Sequence, residues 1–350
     1  MKTAIVIPCL NEARLVGRTA RSLGFGGDTP ADHDTCLILV DNGSTDETWA
    51  AITTIRDQAA PGAVYLARES ERGYVPPRHR GAQIASRIAE RDGISTDDLL
   101  ILQGDADTVY EAGYVDAMRQ AAQVAGTNRI LEARVHQPRR FESDHPGFQD
   151  LADRIDAEMA PHFVDNADDV IVDDKAAGFR LGDYLRWGGH RRDYMSTGAE
   201  VHAETTRLFI RARRGGARKI GVNAAWVVPS RRKIQRNPVR HFATAGFPRE
   251  DAWWREWNAR YTGPHGLPAF DDPGAKDTLA AAISMRRAHL LSLFSSIPRA
   301  VTLSLSSQNP SHGGSDYRSD AAVEAIKLDQ LGRLFELLLP TATGSADAGR

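Results

Sequence analysis

The 350-residue chain contains only two cysteines, Cys9 and Cys36, which excludes a disulfide framework and a CxxC metal site. No stretch approaches the roughly 18 consecutive apolar residues that a membrane-spanning helix needs. The opening "MKTAIVIPCLNEAR" has about seven apolar residues, interrupted by Pro8, so it predicts a first core strand and not a signal peptide. The formal net charge of −2 gives the whole chain no preference for nucleic acid or membrane. These absences predict a reduced, cytoplasmic protein.

Over the first 135 residues, apolar runs rich in Ile, Val and Leu alternate with stretches of helical apolar spacing. The predicted strands are 3–8, 36–41, 63–67, 99–103 and 129–135. The predicted helices are 12–23, 46–59, 78–91 and 111–125. Near-continuous apolar strands separated by helices indicate an α/β fold, with a mostly parallel sheet covered by helices on both faces.

Composition divides the remainder of the chain into four segments. These are an insertion or mobile segment at 136–175, a second α/β region at 176–249 with a strand over 220–228 and a basic loop, a helical C-terminal extension at 250–340 and a disordered tail at 341–350. The extension carries three tryptophans on one predicted helix side. Packing between helices is the favoured interpretation and sugar stacking the alternative for Trp253, Trp254 and Trp257.

Polar side chains follow three of the predicted strands at the point where each strand ends. In a parallel sheet these carboxyl ends meet at one edge, where ligands bind. Three polar endings at the same edge therefore predict a site. The residues are Asn11 and Glu12 after the first strand, Asp41 and Asn42 after the second, and Asp105 and Asp107 after the fourth.

Two clusters of charge lie outside these strand ends. The acidic one does not match the spacing of a calcium loop, so a solvated loop is favoured over a second metal site. It comprises Asp165, Asp168, Asp169, Asp173 and Asp174. The basic one has eleven Lys or Arg and no Asp or Glu between 211 and 249. Four roles remain open for this basic cluster. It is a solvated helix end, a lid over a diphosphate, a binding site for an anionic acceptor, or, through 231–241, a contact with anionic lipid at the inner membrane surface. Nucleic-acid binding is disfavoured.

Four motifs occur in the order and at the spacings of one known family: "VIPCLNE", "LVDNGSTDET", "ERGYVPPRHRGAQIA" and "LILQGDADT". The chain resembles the family 2 glycosyltransferases of the GT-A fold over roughly 1–125 and again over 176–228. The resemblance implies that 1–135 is the nucleotide-sugar-binding half of a GT-A domain and 176–249 its acceptor-side half. It also implies metal-dependent transfer of a sugar from a nucleotide-sugar donor to an acceptor hydroxyl, with inversion favoured.

The resemblance also assigns roles on the donor side. Pro8, Asn11 and Glu12 are expected beside the nucleoside, Asp41 at the base, Arg78 on the nucleotide and Asp105 near the ribose. Asp107 is expected to ligate Mg²⁺ or Mn²⁺ that bridges the diphosphate. Hard cations take oxygen ligands and are commonly held by one or two carboxylates together with substrate phosphates, so this role is chemically coherent.

The acceptor side departs from the family pattern. Family members carry a Glu-Asp pair whose Asp is the general base, but here Glu204 is followed by Thr205. A threonine cannot act as a base at neutral pH. The general base is therefore Glu204 or Glu200, or the enzyme uses a different chemistry. A helix predicted over 199–214 places Glu200 and Glu204 on one face. No histidine follows the next strand as a further metal ligand. For the nearest candidates, His202 and His241, an ordinary structural role is favoured.

Two other functions stay open at this point. A nucleotidyltransferase also uses carboxylates and metal, but "PCLNEAR" lacks the glycine-rich phosphate loop expected after its first strand. A degenerate protein that binds a nucleotide sugar without transferring it is supported by Thr205. Turnover of a donor in the presence of metal separates this last alternative from a transferase. The donor base, the sugar, the acceptor and the oligomeric state cannot be determined from the sequence.

Overall fold

The computed structural model describes residues 1–26, 31–165, 167–194, 198, 200–247, 266–272, 274, 277 and 279–307. Its described residues divide into two compact units, the first comprising 1–136 with 170–230, the second 137–169 with those from 231 onward. The three tryptophans of the C-terminal extension and the predicted tail lie outside the described residues. The five-segment division made from composition stays a prediction.

The first unit is built on an eight-stranded sheet in the order β3-β2-β1-β4-β7-β6-β8-β5. Its strands are β1 (Lys2–Cys9), β2 (Thr35–Asp41), β3 (Val64–Arg68), β4 (Leu99–Gln103), β5 (Val109–Tyr110), β6 (Arg129–Val135), β7 (Ala177–Arg180) and β8 (Arg218–Val228). β1 pairs in parallel with both β2 and β4, β2 pairs in parallel with β3, and β6 pairs in parallel with β8. The sheet is therefore mostly parallel, as the apolar runs predict.

Helices cover both faces of this sheet. They are α1 (Val16–Ser22), α2 (Thr48–Gln58), α3 (Val75–Arg91), α4 (Tyr114–Ala125), α7 (Leu181–Arg186) and α8 (Glu204–Arg213). The helices between α4 and α7, which are α5 (Arg139–Asp144) and α6 (Pro146–Met159), belong to the second unit and not to this set.

Side chains of β1 point alternately to two separate cores. Ile5 and Ile7 pack with residues of α1, α2 and α4 on one face. Ala4 and Val6 pack with residues of α3, α7 and α8 on the other. Because alternate residues of a strand point to opposite faces, a strand buried on both sides must be apolar throughout. The predicted α/β fold with helices on both faces is confirmed.

Two short strands, β5 and β7, are not predicted by the sequence pattern. β5 has two residues and β7 has four, too short for a period of two to stand out. β7 pairs antiparallel with both β4 and β6, so it fills the position between them. The predicted helix over 199–214 is wrong at its start, because α8 begins only at Glu204.

The second unit is helical in the part of the chain that the structure describes. Phe148 contacts Phe242 and Phe270 edge-on, and all three rings belong to its hydrophobic core. Arg286 donates to both carboxylate oxygens of Asp156 at 2.8 Å. The helices of the second unit after residue 230 are α9 (Arg232–Arg236), α10 (Pro238–Ala243), Pro268–Asp271, Ala280–Leu291 and Ile297–Ser307. Within the described residues, no helix combines the length and apolar character needed to cross a bilayer.

Gly81 permits the close approach of α3 to β1, and replacing it tests this packing. A methyl group at Gly81 would overlap the side chain of Val6. Overpacking of a filled core costs about 1–3 kcal/mol, so we expect Gly81→Ala to lower the free energy of unfolding by that amount in urea denaturation.

Gly17, inside α1, provides the matched control. A methyl group there meets only the end of the Arg21 side chain, at 3.7 Å. Because alanine has the higher helix propensity, Gly17→Ala should raise the free energy of unfolding by up to about 1 kcal/mol. Equal effects of the two substitutions would contradict the packing argument.

Candidate functional site

The order of the first four strands places a binding crevice between β1 and β4. The chain runs outward from β1 through β2 to β3, and α3 then returns it to β4 on the other side of β1. Strand order therefore reverses between β1 and β4. Ligands of open α/β sheets bind at such a reversal, outside the carboxyl ends of the strands.

The turn after β1 is tied to the turn after β2. Asn11 adopts a positive φ of 56°, and its backbone N–H donates to Ser44 Oγ at 3.0 Å. Its side-chain Oδ1 accepts from the Thr45 backbone N–H at 2.8 Å. The Glu12 N–H donates to Thr48 Oγ1, also at 2.8 Å. The residues expected beside the nucleoside therefore also hold the two turns in a fixed relation.

Asp41 and Asn42 are both buried at the end of β2. Asp41 Oδ1 accepts from the backbone N–H of Ser44 at 3.2 Å, which closes the turn at Gly43. Asn42 donates to the carbonyl oxygens of Glu69 and Glu71, at 3.2 and 2.7 Å. These bonds fix the loop that follows β3 beside the turn after β2. Pro8, the remaining donor-side residue, lies partly buried in β1, opposite Val40 of β2.

Arg78 of α3 lies buried, with 6% of its side chain exposed. Its Nε donates to Glu204 Oε1 at 2.7 Å, and its NH2 group donates to Asp105 Oδ1 at 2.9 Å. Burial alone lowers the pKa of Arg78, but the surrounding carboxylates outweigh it and raise the pKa overall. Those carboxylates belong to Glu204, Asp105 and Asp174. The guanidinium therefore stays charged and joins α3, α8 and the end of β4.

Asp174 is the member of the carboxylate cluster around Arg78 that the sequence did not predict. The sequence predicts a solvated loop for the acidic run that contains it, whereas Asp174 is partly buried and accepts a hydrogen bond from the Thr205 N–H at 3.1 Å. Burial and the neighbouring carboxylate of Glu204 raise the pKa of Asp174 to about 7. Only the fold brings it to Arg78, so no local pattern could have shown it.

Thr205, which stands where the family has its aspartate, lies in a buried polar network. Its Oγ1 accepts from Gln103 Nε2 at 2.8 Å and lies 3.4 Å from His190 Nε2. Burial, together with nearby guanidinium groups, lowers the pKa of His190 well below its ordinary value, so this ring is neutral. The network joins β4 to the start of α8 and leaves the threonine hydroxyl engaged inside the domain.

Glu200 does not share a helix with Glu204. It forms an isolated bridge with Tyr194, before α8 begins. Its carboxylate accepts from the backbone N–H groups of Tyr74 and Val75, at 3.1 and 3.3 Å, and from Arg192 at 3.2 Å. A carboxylate at these first N–H groups stabilises the start of α3. The shared helix face predicted for the pair is therefore wrong.

The structure thus brings three predicted residues into direct contact: Arg78, Asp105 and Glu204. Asn11 and Asp41 meet through Ser44. Asp107 lies two residues beyond Asp105, partly buried between the buried residues Ala106 and Thr108. His202, considered as a metal ligand, has its ring 3.9 Å from that of Tyr74.

Residues 4–128 match the family model described as Glycosyl transferase family 2. Over this segment the chain is similar to that family. The match spans the four strands and turns that form the crevice, and it confirms the family resemblance of their motifs. No curated protein matches the chain at a significant level.

Several solved structures are similar to the chain. A mannosyltransferase from Pyrobaculum calidifontis, in complex with GDP-Man and Mn²⁺, is 16% identical, with 96% of this chain and 84% of that chain covered and a TM-score of 0.47. TarS of S. aureus, residues 1–349, is 14% identical, with 87% and 80% covered and a TM-score of 0.44. Glucosyl-3-phosphoglycerate synthase from Mycobacterium tuberculosis, with Mn²⁺, uridine diphosphate and phosphoglyceric acid, is 14% identical, with 84% and 78% covered and a TM-score of 0.39.

The carboxylates at the end of β4 fit a divalent cation held jointly with a substrate. Among the described residues, no three His, Cys, Asp or Glu side chains are grouped so as to hold a metal ion by themselves. Mg²⁺ needs no such cage, because one or two carboxylates and the phosphates of the substrate suffice. Asp107, inside the segment that matches the family model, has a carboxylate that is a hard oxygen donor of this kind.

The raised pKa of Asp174 makes the stability of the domain depend on pH. Because the folded-state value of about 7 lies above the ordinary 3.8, the contribution of Asp174 to stability is complete below pH 4 and is lost as pH rises through 7. Asp174→Asn removes this loss and keeps an oxygen for the Thr205 N–H. Relative to wild type, the variant should gain about 1.4 kcal/mol for each pH unit between 5 and 7.

Urea denaturation of both proteins at pH 5 and pH 8 measures this difference. Asp168→Asn is the matched control, since Asp168 is exposed and belongs to the same acidic run. Its difference from wild type should not change with pH. If the Asp174→Asn difference were equally constant, Asp174 would not carry the raised pKa.

Proposed function

We propose that this protein transfers a sugar from a nucleotide-sugar donor to an acceptor hydroxyl, with a divalent metal and with inversion at the anomeric carbon. The observation that carries the proposal is the meeting of polar side chains at the reversal of strand order, inside the segment that matches the family. Asp41 closes β2, and Asp105 follows β4, on either side of β1. This is where a parallel α/β sheet binds a nucleotide.

In this proposal the donor side lies along the ends of β1, β2 and β4. Pro8, Asn11 and Glu12 line the nucleoside, with Asp41 at the base. The hydrogen bonds of Asn11 to the second turn hold this part of the crevice in place before the donor arrives, which reduces the entropy lost on binding. Arg78 and Asp105, already paired at 2.9 Å, face the nucleotide.

Mg²⁺ or Mn²⁺ is proposed to bind at Asp107. When bound, such a cation neutralises the charge that develops on the departing nucleoside diphosphate. The protein's own contribution is to orient the donor and to keep Asp105 engaged with Arg78 beside it. The retaining outcome stays open, because the family's aspartate is replaced by Thr205.

The second candidate function is binding of a nucleotide sugar without transfer. One observation favours it: the Thr205 side chain is fully buried and bonded to Gln103, so the family's base position offers no proton acceptor to the crevice. The nucleotidyltransferase alternative has no comparable support. Contact of the basic segment 231–241 with an anionic membrane surface and a cytoplasmic location remain predictions.

Nucleoside diphosphates test the donor side directly. We expect one member of a panel of UDP, GDP, dTDP, ADP and CDP to raise Tm in the presence of Mn²⁺. A ligand at about 100 times its dissociation constant stabilises the folded state by roughly 2.7 kcal/mol. The shift should depend on Mn²⁺ and should disappear in Asp107→Ala.

Asp116→Ala is the control for this experiment. Asp116 lies on α4 with 79% of its side chain exposed. Its removal should leave the nucleotide shift intact. If no diphosphate shifts the wild-type Tm with or without metal, donor binding at this crevice is refuted, and with it both candidate functions.

A further inference from the structure

Thr205 stands where the family has its base, and a carboxylate from another part of the chain, that of Asp174, lies beside it. Asp174 Oδ1 accepts a hydrogen bond from the backbone N–H of Thr205 at 3.1 Å. Thirty-one positions separate the two residues, and Asp174 precedes β7. A carboxylate is thus present next to position 205, although the side chain of that position cannot supply it.

The segment that carries Asp174 is held from two sides. Thr206 Oγ1 accepts from the Val172 N–H at 2.9 Å and donates to the Val172 carbonyl at 3.2 Å, which fastens the segment to α8. Tyr110 donates its hydroxyl to the Lys175 carbonyl at 3.2 Å and accepts from the Asp105 N–H at 3.1 Å. The same segment is therefore fastened to the end of β4. A proton acceptor must be positioned in this way to reach a bound hydroxyl.

The charges that face Asp174 favour its holding a proton near neutrality. Negative charge reaches it from Glu204 and Asp105, and positive charge from Arg78. Lys175, its neighbour, donates its hydrogen bond to Asp173, and its charge also interacts with that of Asp174. Burial and the Glu204 carboxylate raise the pKa of Asp174 to about 7. A base of this strength is ionised often enough to accept a proton and strong enough to remove one.

The two other candidate bases are engaged elsewhere. Glu204 is buried, with 5% of its side chain exposed, and is paired with Arg78 at 2.7 Å. Glu200 is occupied by two backbone N–H groups at the start of α3 and by Arg192. Asp174 is partly buried, and its hydrogen bond with the Thr205 N–H engages Oδ1, one of its two carboxylate oxygens.

We infer that Asp174 is the general base of the proposed sugar transfer, taking the role that Thr205 cannot fill; this inference rests on the proposed function. Asp174 accepts the proton of the acceptor hydroxyl as the acceptor oxygen forms a bond to the anomeric carbon. The bond between that carbon and the diphosphate oxygen breaks, and its electron pair leaves with the nucleoside diphosphate. The proton remains on the Asp174 carboxyl group until it exchanges with water.

The test measures nucleoside diphosphate released from UDP-glucose, UDP-N-acetylglucosamine or GDP-mannose, with Mn²⁺, and with water or free monosaccharides as acceptors. The wild-type rate should fall about tenfold for each pH unit below 7, because only ionised Asp174 acts. Asp174→Asn should lose this pH dependence and be slower by about 10²–10⁴-fold. Its Tm shift with the nucleoside diphosphate should stay that of wild type.

Two variants make the test specific. Asp168→Asn, in the same acidic run, should retain the wild-type rate and pH profile. Glu204→Gln should keep the fall in rate at low pH but move it to lower pH, since removing a neighbouring negative charge lowers the pKa of Asp174.

Three outcomes would overturn the inference while nucleotide binding persists. The first is a wild-type rate and pH profile in Asp174→Asn. The second is loss of the pH dependence in Glu204→Gln alone, which would make Glu204 the base. The third is wild-type protein that binds a diphosphate but releases none from any of these donors, which leaves binding without transfer as the function. Absence of nucleotide binding instead refutes both candidate functions, so failure of the base assignment, of transfer and of donor binding can be told apart.

Discussion

The pairing of the buried Arg78 guanidinium with Glu204 and Asp105 is the interaction on which the crevice depends. It joins three elements that are distant in sequence: α3, the start of α8 and the end of β4. Removing one partner of a buried ion pair typically costs 3–5 kcal/mol, because the other charge is left uncompensated. Arg78 also allows the carboxylates of Glu204, Asp105 and Asp174 to lie close together, an arrangement that would otherwise be repulsive.

Around this ion pair, polar side chains serve both the fold and the crevice. Asn42 fixes the loop after β3, and Asn11 fixes the turn after β2. The carboxylate of Glu200 stabilises the start of α3, the helix that carries Arg78. A crevice whose walls are hydrogen-bonded to one another before a ligand binds loses less entropy when it does. The same residues therefore determine the geometry of the turns and the chemistry available at the sheet edge.

Where the sequence succeeded, the signal was local. The first four strands were predicted within one residue of their bounds, because a strand buried on both faces must be a continuous apolar run, as in Leu99–Gln103. Where it failed, the signal was short or non-local. β7 has four residues, and its place between β4 and β6 follows from pairing alone. Glu200 lies before the start of α8, and its carboxylate instead accepts hydrogen bonds from the first backbone N–H groups of α3.

By itself, the sequence determined the parallel sheet, the polar strand ends and the family motifs, since each depends on neighbouring residues and on the alternation of buried faces. Arg78, Asp105 and Glu204 were each chosen from it, but not as one cluster. Only the tertiary structure decided that Asp174 lies at Thr205, because a hydrogen bond between two segments leaves no trace in the local pattern of either. Its raised pKa has the same origin, since burial and the charges of Glu204 and Arg78 exist around it only in the folded chain.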